Sequence, residues 1–187
     1  MRQFSARPSA GQPEDMRVTD WTIRDERPGD EVAVAALLRD AFGGPGEAAL
    51  VAALRDAGAA PVSLVAAADD GTIVGHVLFS PLAVERGGVE IAAAALAPLA
   101  VDAAWRRRGI GAALCETGIG RCRDLGLAGV TVLGDPAYYR RFGFDPALAA
   151  PLLCPWSGPH LMALEFAPGA LGGAGRLRYH TAFEDLA

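Results

Sequence analysis

The chain has 187 residues, 51% apolar, 21% charged and 7% aromatic, the proportions of one globular domain with its own core and not of a disordered or fibrous chain. Seventeen Arg and no Lys stand against twenty-two Asp plus Glu, for a net charge of −5, which argues against nucleic acid as a partner. Three cysteines, Cys115, Cys122 and Cys154, give neither an even disulfide set nor a C-x-x-C pair, and with three scattered histidines they lack metal-ligand spacing. The expected setting is a reducing cytoplasm with no metal. No apolar run approaches the ~20 residues of a membrane span, and the polar opening has no signal-peptide core, so no membrane contact is expected.

Residues 1–19 carry Arg, Ser, Pro, Gly and Gln without hydrophobic period and read as a flexible arm. Folding is expected to begin near Trp21 with a short strand. Asp30 then stands where it would cap a helix bearing Val34, Leu37, Leu38 and Phe42 at helical spacing. Gly43-Gly44-Pro45-Gly46 breaks that helix, and a second amphipathic stretch with Leu50, Val51 and Leu54 runs to Gly58. Three apolar runs read as strands, Val62 to Ala68, Thr72 to Leu82 and Ile91 to Val101, with turns at Asp70-Gly71 and Arg86-Gly87-Gly88. A long helix from about Arg108, a strand Gly129 to Leu133, a short helix and a strand Leu161 to Phe166 follow. A last edge strand, Arg176 to Tyr179, lies in a Gly-rich tail. Hairpins followed by a strand, helix, strand crossover predict an α/β fold: a mixed, mostly antiparallel sheet with helices on both faces.

The informative stretch runs from Ala97 to Leu114. At 100° per residue its helix gathers Ile110, Gly111, Leu114, Cys115, Gly118 and Ile119, with Cys122 and Leu125, on one arc opposite Glu116, Arg123 and Asp124. Cys115 and Cys122 are therefore expected in the core. The helix start carries about half a positive charge and ordinarily attracts acids, yet Arg106, Arg107 and Arg108 precede it. No Ser, Thr, Asp or Asn stands beside Arg108 and Gly109 to cap the free N–H groups. An anion satisfies all of this: Gly109 and Gly111 allow close backbone approach, and with Ala112 the first turn makes a phosphate or pyrophosphate cradle. Upstream, Pro98 cannot donate to a sheet ladder, so a bulge or an edge is implied there. Backbone groups of Leu99 and Val101 then become free to pair with an extended, amide-bearing ligand as another strand would. An amide-rich arm ending in a pyrophosphate describes coenzyme A.

Arg106-x-x-Gly109-x-Gly111 resembles the [Q/R]-x-x-G-x-[G/A] signature of the GNAT superfamily of acetyl-CoA-dependent N-acetyltransferases. Downstream, Val132-Leu133-Gly134-Asp135-Pro136-Ala137-Tyr138-Tyr139-Arg140-Arg141-Phe142-Gly143-Phe144 resembles that family's next strand, short helix and G-F exit. The Gly134 to Tyr139 run is similar to a bacterial subgroup of the family. The resemblance spans about residues 20–167 and implies a GNAT fold whose sheet splays between its fourth and fifth strands. It also implies acetyl-CoA as cosubstrate, and it leaves residues 168–187 as an extension packed on the domain. A Rossmann reading of Gly109-x-Gly111 fails at Leu114, where a third glycine is needed.

Acetyl transfer to an amine needs a neutral nucleophile. An amine of pKa ~10.4 costs about 4 to 5 kcal/mol to deprotonate at pH 7, whereas releasing a thiolate of pKa ~8.5 costs only about 2. The resemblance implies that Tyr139, four residues before Gly143, donates a proton or hydrogen bond to the departing sulfur, with a packing role for its bulky phenol as the alternative. Asp135 as N-cap, Pro136 at N1 and Gly143 as stop would place Tyr138, Tyr139 and Phe142 on barely two turns, at least one of them packed inward. The run from Ile91 to Val101 has no ionisable residue to act as base, and His76 reads first as a core residue, with Glu90, Asp135 or His76 at the end of a water chain as the other possibility. Pro155 to His160 reads first as a surface crossover and second as part of an acceptor mouth. The expected activity is acetyl transfer to a primary amine on a small molecule or peptide, by a monomer or homodimer. The alternatives are a non-catalytic acyl-CoA sensing module and an acyltransferase using longer acyl chains.

Overall fold

The computed structural model describes residues 20–186, so the expected N-terminal arm lies outside them. Strand β1 (Trp21–Asp25) leads to helices α1 (Glu31–Phe42) and α2 (Gly46–Asp56), and then to strands β2 (Val62–Ala68), β3 (Ile73–Arg86) and β4 (Val89–Val101). Helix α3 (Ile110–Asp124), strand β5 (Gly129–Leu133), two short helices α4 (Pro136–Tyr139) and α5 (Pro146–Ala149), and strands β6 (Leu152–Leu153), β7 (Leu161–Glu165) and β8 (Gly175–Tyr179) complete the order. The sheet runs β1-β2-β3-β4-β5-β7 and is antiparallel except at β4-β5, while β6 joins β8 in parallel. Among the described residues no helix is long and apolar enough to cross a membrane.

Strand β3 is longer than its sequence run because its outer half finds a second partner. Its inner half pairs with β2, as far as Val62 opposite Phe79, and Leu82 to Glu85 then pair with Arg176 to Tyr179 of β8. The late strand thus covers an edge that β2 leaves open. The turn to β4 shrinks to Gly87-Gly88, both at positive φ, where glycine carries no steric penalty.

Helices cover both faces, so the strands alternate between two apolar environments. Leu64, Ala66, Val77 and Phe79 pack with Ile110, Leu114, Cys115 and Cys122 of α3, whereas Val65 and Leu78 point to the opposite face, onto Val34, Leu38, Leu50 and Leu54 of α1 and α2. Burial pushes both cysteine thiols up to about 12, which keeps them protonated and inert. Leu125, expected on the inner arc of α3, instead ends the helix and is 55% exposed. Asp30 also departs from expectation. Its carboxylate takes both guanidinium nitrogens of Arg24 and the N–H of Arg27, so it ties β1 to the loop and leaves α1 without a side-chain cap.

Gly118 on α3 lies against the Phe79 ring, and a methyl there would run into it. Gly118→Ala is expected to lower stability by about 1–3 kcal/mol. Gly120→Ala, two residues on in open space, should gain up to about 1 kcal/mol from helix propensity. Thermal melting of the two variants, with shifts of opposite sign, checks the assignment.

Candidate active site

Strand β4 pairs with β5 only over Ala94 to Leu96, opposite Val130 to Val132. At the next two residues, Ala97 and Pro98, joined by a cis peptide, β4 bulges so that Leu78 of β3 faces both. Beyond the bulge Leu99 to Val101 pair with Val77 to Gly75 of β3 alone. The expected bulge and parting of strands are therefore present, and a wedge opens between β4 and β5. Two hollows lie along it, of about 380 and about 330 Å³, and Leu99 and Phe42 line both. Phe42, read from the sequence as part of the apolar face of α1, is instead 45% exposed at this junction.

The first hollow is floored by the loop from Val101 to Ala112. Asp102 accepts from the N–H of Ala104 and caps a single turn over Ala103–Trp105. Arg107 then takes φ +63°, the only residue other than glycine in the left-handed region among those described, and Gly109 follows at φ +85°. These conformations delay α3 by two residues, to Ile110, and no side chain caps its start. Successive turns of this kind aim backbone N–H groups at one point, where the helix dipole adds positive potential. Arg106, Arg107, Gly109, Gly111 and Ala112 all line this hollow, and Arg141 reaches it from beyond α4. Arg106 Nε also donates to the Val101 carbonyl at 3.2 Å. Arg108 turns away instead, its guanidinium 4.6 Å from the centre of the Trp105 ring and its Nη2 donating to the Ala104 carbonyl.

The two glycines do different work. Gly109 supplies its backbone angle, with open space around it, whereas a methyl on Gly111 would lie 2.8 Å from the Tyr138 hydroxyl. Tyr138 thus seals the inner wall of the cradle, with Arg141 stacked 4.3 Å from its ring centre.

Helix α4 forms as its residues dictate. Asp135 accepts from the Ala137 N–H, Pro136 opens the helix, and Gly143 at φ +89° closes the turn that follows. The two tyrosines diverge from there: Tyr138 faces the cradle and Tyr139 lines the second hollow. Tyr139 is half-buried, with its ring against Gly134 and edge-on to Phe144. Burial, with Cys115 and Tyr138 nearby, raises its phenol well above the ordinary value, so it is protonated at neutral pH.

A GNAT acetyltransferase domain model matches residues 22–147, about two thirds of the chain and all of the elements that form the wedge. The chain belongs to the GNAT acetyltransferase family. It is 40% identical over 164 residues to the uncharacterized N-acetyltransferase YhbS of Escherichia coli, covering 86% of this chain and 97% of the relative. It is 36% identical over 132 residues to YjhQ of the same organism, covering 70% and 73%. The crystal structure of E. coli YhbS in complex with CoA superposes with a TM-score of 0.82 at 36% identity, over 97% of this chain and 96% of that one. A GNAT acetyltransferase from Brucella melitensis in complex with acetyl-CoA gives 0.74 at 35% identity, over 87% and 97%.

None of the three side chains weighed as a remote base in this GNAT chain lines either hollow. Glu90 stands opposite Glu85 near the β3-β4 turn, and Asp135 caps α4. His76 is fully buried, its Nε2 3.1 Å from Ser63 Oγ and 3.7 Å from Glu26 Oε2. Sequence reasoning missed the residues that do line the second hollow, notably Glu47, Thr131, Tyr179 and Phe183. They come from distant elements and share no motif. Trp156, weighed as part of an acceptor mouth, lines it too.

Two expectations follow from these contacts. Gly111→Ala should lose about 1–2 kcal/mol through the Tyr138 hydroxyl, and Tyr138→Phe should restore most of it, a coupling that a double-mutant cycle in urea reads directly. Burial would raise the Glu26 carboxyl, but the nearby His76 ring, the hydrogen bond that Ser63 donates and the charge of Arg55 outweigh it and hold the pKa below its ordinary value. A depressed carboxylate stabilises the fold above its unfolded pKa of about 4.3 and loses that contribution as pH falls through the folded value. Glu26→Gln should therefore cost about 1–3 kcal/mol at pH 7, with the gap to the parent narrowing below about pH 4 in denaturant titrations.

Proposed function

We propose that the protein is an N-acetyltransferase that transfers the acetyl group of acetyl-CoA directly to a primary amine. The observation that carries this reading is the meeting of the two hollows on the opened edge of β4. An anion cradle lies on one side, a proton-bearing phenol on the other, and unpaired strand edge runs between them. That CoA and acetyl-CoA accompany the related YhbS and Brucella structures supports the same cosubstrate here. Residues 20–167 are then the catalytic unit and 168–187 an extension of it.

In this reading the main-chain N–H groups at Gly109, Gly111 and Ala112, with Arg106 and Arg107, hold the diphosphate. Arg108, stacked on Trp105 and turned from the hollow, contributes only longer-range positive field. Leu99 and Val101 offer their main chain to the amide arm as a neighbouring strand would. The bound cosubstrate supplies a thioester carbonyl open to attack at the wedge. The amine nitrogen, having lost a proton to solvent, forms the C–N bond while the C–S bond breaks and its electron pair passes to sulfur. The new amide sheds its second proton to solvent, and Tyr139 gives its phenolic proton to the sulfur, then recovers one from water.

Calorimetric titration with CoA, followed by turnover of acetyl-CoA against an amine panel with free thiol as the readout, tests the proposal. Tyr139→Phe should bind CoA as the parent does while kcat falls about 10²-fold or more. CoA binding with no thiol released beyond background would favour a sensing module instead.

A further inference from the structure

The second hollow carries a chemical signature of its own. Trp156 meets Tyr179 and Phe183 edge to face along one wall and those two rings tilt against each other, with ring centres 5.1 to 6.3 Å apart. Phe42 and Tyr139 face the same space. Among the described residues lining it only Glu47 is formally charged, and no Arg, Lys or His is present. Glu47 is half-buried on the first turn of α2, with no hydrogen bond or ion pair to a described residue. A helix start alone explains an acid at this position, as Glu31 at the start of α1 illustrates. What the helix start leaves open is that Glu47 is the one charged group on an otherwise neutral, largely apolar lining, so a cation entering the hollow has it as its charged partner.

A second polar group awaits a partner in the same place. Thr131 is 1% exposed and lines the hollow, yet its Oγ1 makes no hydrogen bond to a described residue. The Tyr179 phenol is its neighbour, raised by burial and lowered by Thr131, without completing hydrogen-bond geometry to Oγ1. Buried hydroxyls are ordinarily satisfied, so this atom points to a ligand with a donor.

We infer that this hollow is the acceptor site and that it selects small amines with an apolar body and no carboxylate, Glu47 binding the ammonium and Thr131 Oγ1 accepting a hydrogen bond from the acceptor. The inference rests on the acetyl-transfer reading and adds the acceptor's class. Aromatic walls suit both a cation and an apolar body. An acceptor carboxylate would find no cation here and would face Glu47, a like-charge pairing that discriminates by repulsion. A neutral acyl chain could fill the volume, but it would strand the carboxylate against hydrocarbon.

Matched pairs that differ only in the carboxylate make the test: 2-phenylethylamine against phenylalanine, and pentylamine against norleucine. The amines should exceed the amino acids in kcat/KM by about 100-fold or more, the scale of one lost charge-assisted contact plus repulsion. Glu47→Gln should raise KM for the amines about 10- to 100-fold and shrink the preference, and Thr131→Val should raise KM about 2- to 10-fold. Both variants should bind CoA as the parent does, which also establishes that they fold. Independently of turnover, calorimetry of 2-phenylethylamine with the CoA-loaded protein should show binding that Glu47→Gln weakens. Equal use of amines and amino acids, use of neither while acetyl-CoA still binds, or unchanged KM in Glu47→Gln would overturn the inference and leave CoA binding intact. Failure to bind acetyl-CoA at all would overturn the reading beneath it as well.

Discussion

A strand inside a sheet is hydrogen-bonded on both edges, and everything of chemical interest in this protein depends on one strand that is not. β4 holds β5 for three residues and then leaves it at Ala97 and Pro98. Proline has no N–H to give a ladder, and the bulge it sits in turns the strand toward β3 alone. The freed edge is flanked by two packed helical layers and therefore stays open without collapsing. The apolar faces of α1, α2 and α3 are already spent on the sheet's interior.

The two sides of that opening are electrically unlike. Toward α3 the chain concentrates cations and unbonded N–H groups, with Arg106, Arg107 and Arg141 around a helix start that nothing caps. Toward α2 and the C-terminal strand it offers aromatic rings, one hydroxyl and one carboxylate. The first side favours anionic ligands and the second disfavours them, so under the proposed reaction a phosphate-bearing donor and an ammonium-bearing acceptor would not compete for the same surface.

Much of this was legible in the sequence because it is written in short-range rules. β2 and β5 have the limits their apolar runs imply, and the cap, proline and glycine of α4 stand as expected. So does the bulge at Pro98. The strand ends were less legible, since β3 and β4 extend through the turn only because β8 returns to pair with β3, a contact some 90 residues away in the chain. Asp30 misled because an ion pair with Arg24 outbid the cap, and no local pattern foretold that the Tyr138 hydroxyl would lie against Gly111. Glu47 and Thr131 left no signal, being ordinary residues on an ordinary helix and strand until tertiary structure aims them into one space.

Phe42 ends α1 just before Gly43-Gly44-Pro45-Gly46 and forms part of the wall of both hollows. A ring shared between two compartments makes them thermodynamically interdependent. Any rotation that shapes it around one guest also reshapes the chamber of the other, and linkage requires that whatever factor the first guest imposes on the second's affinity be returned in full. Phe42, together with Leu99, is thus the seam through which the two chambers share shape, beside a glycine-rich joint.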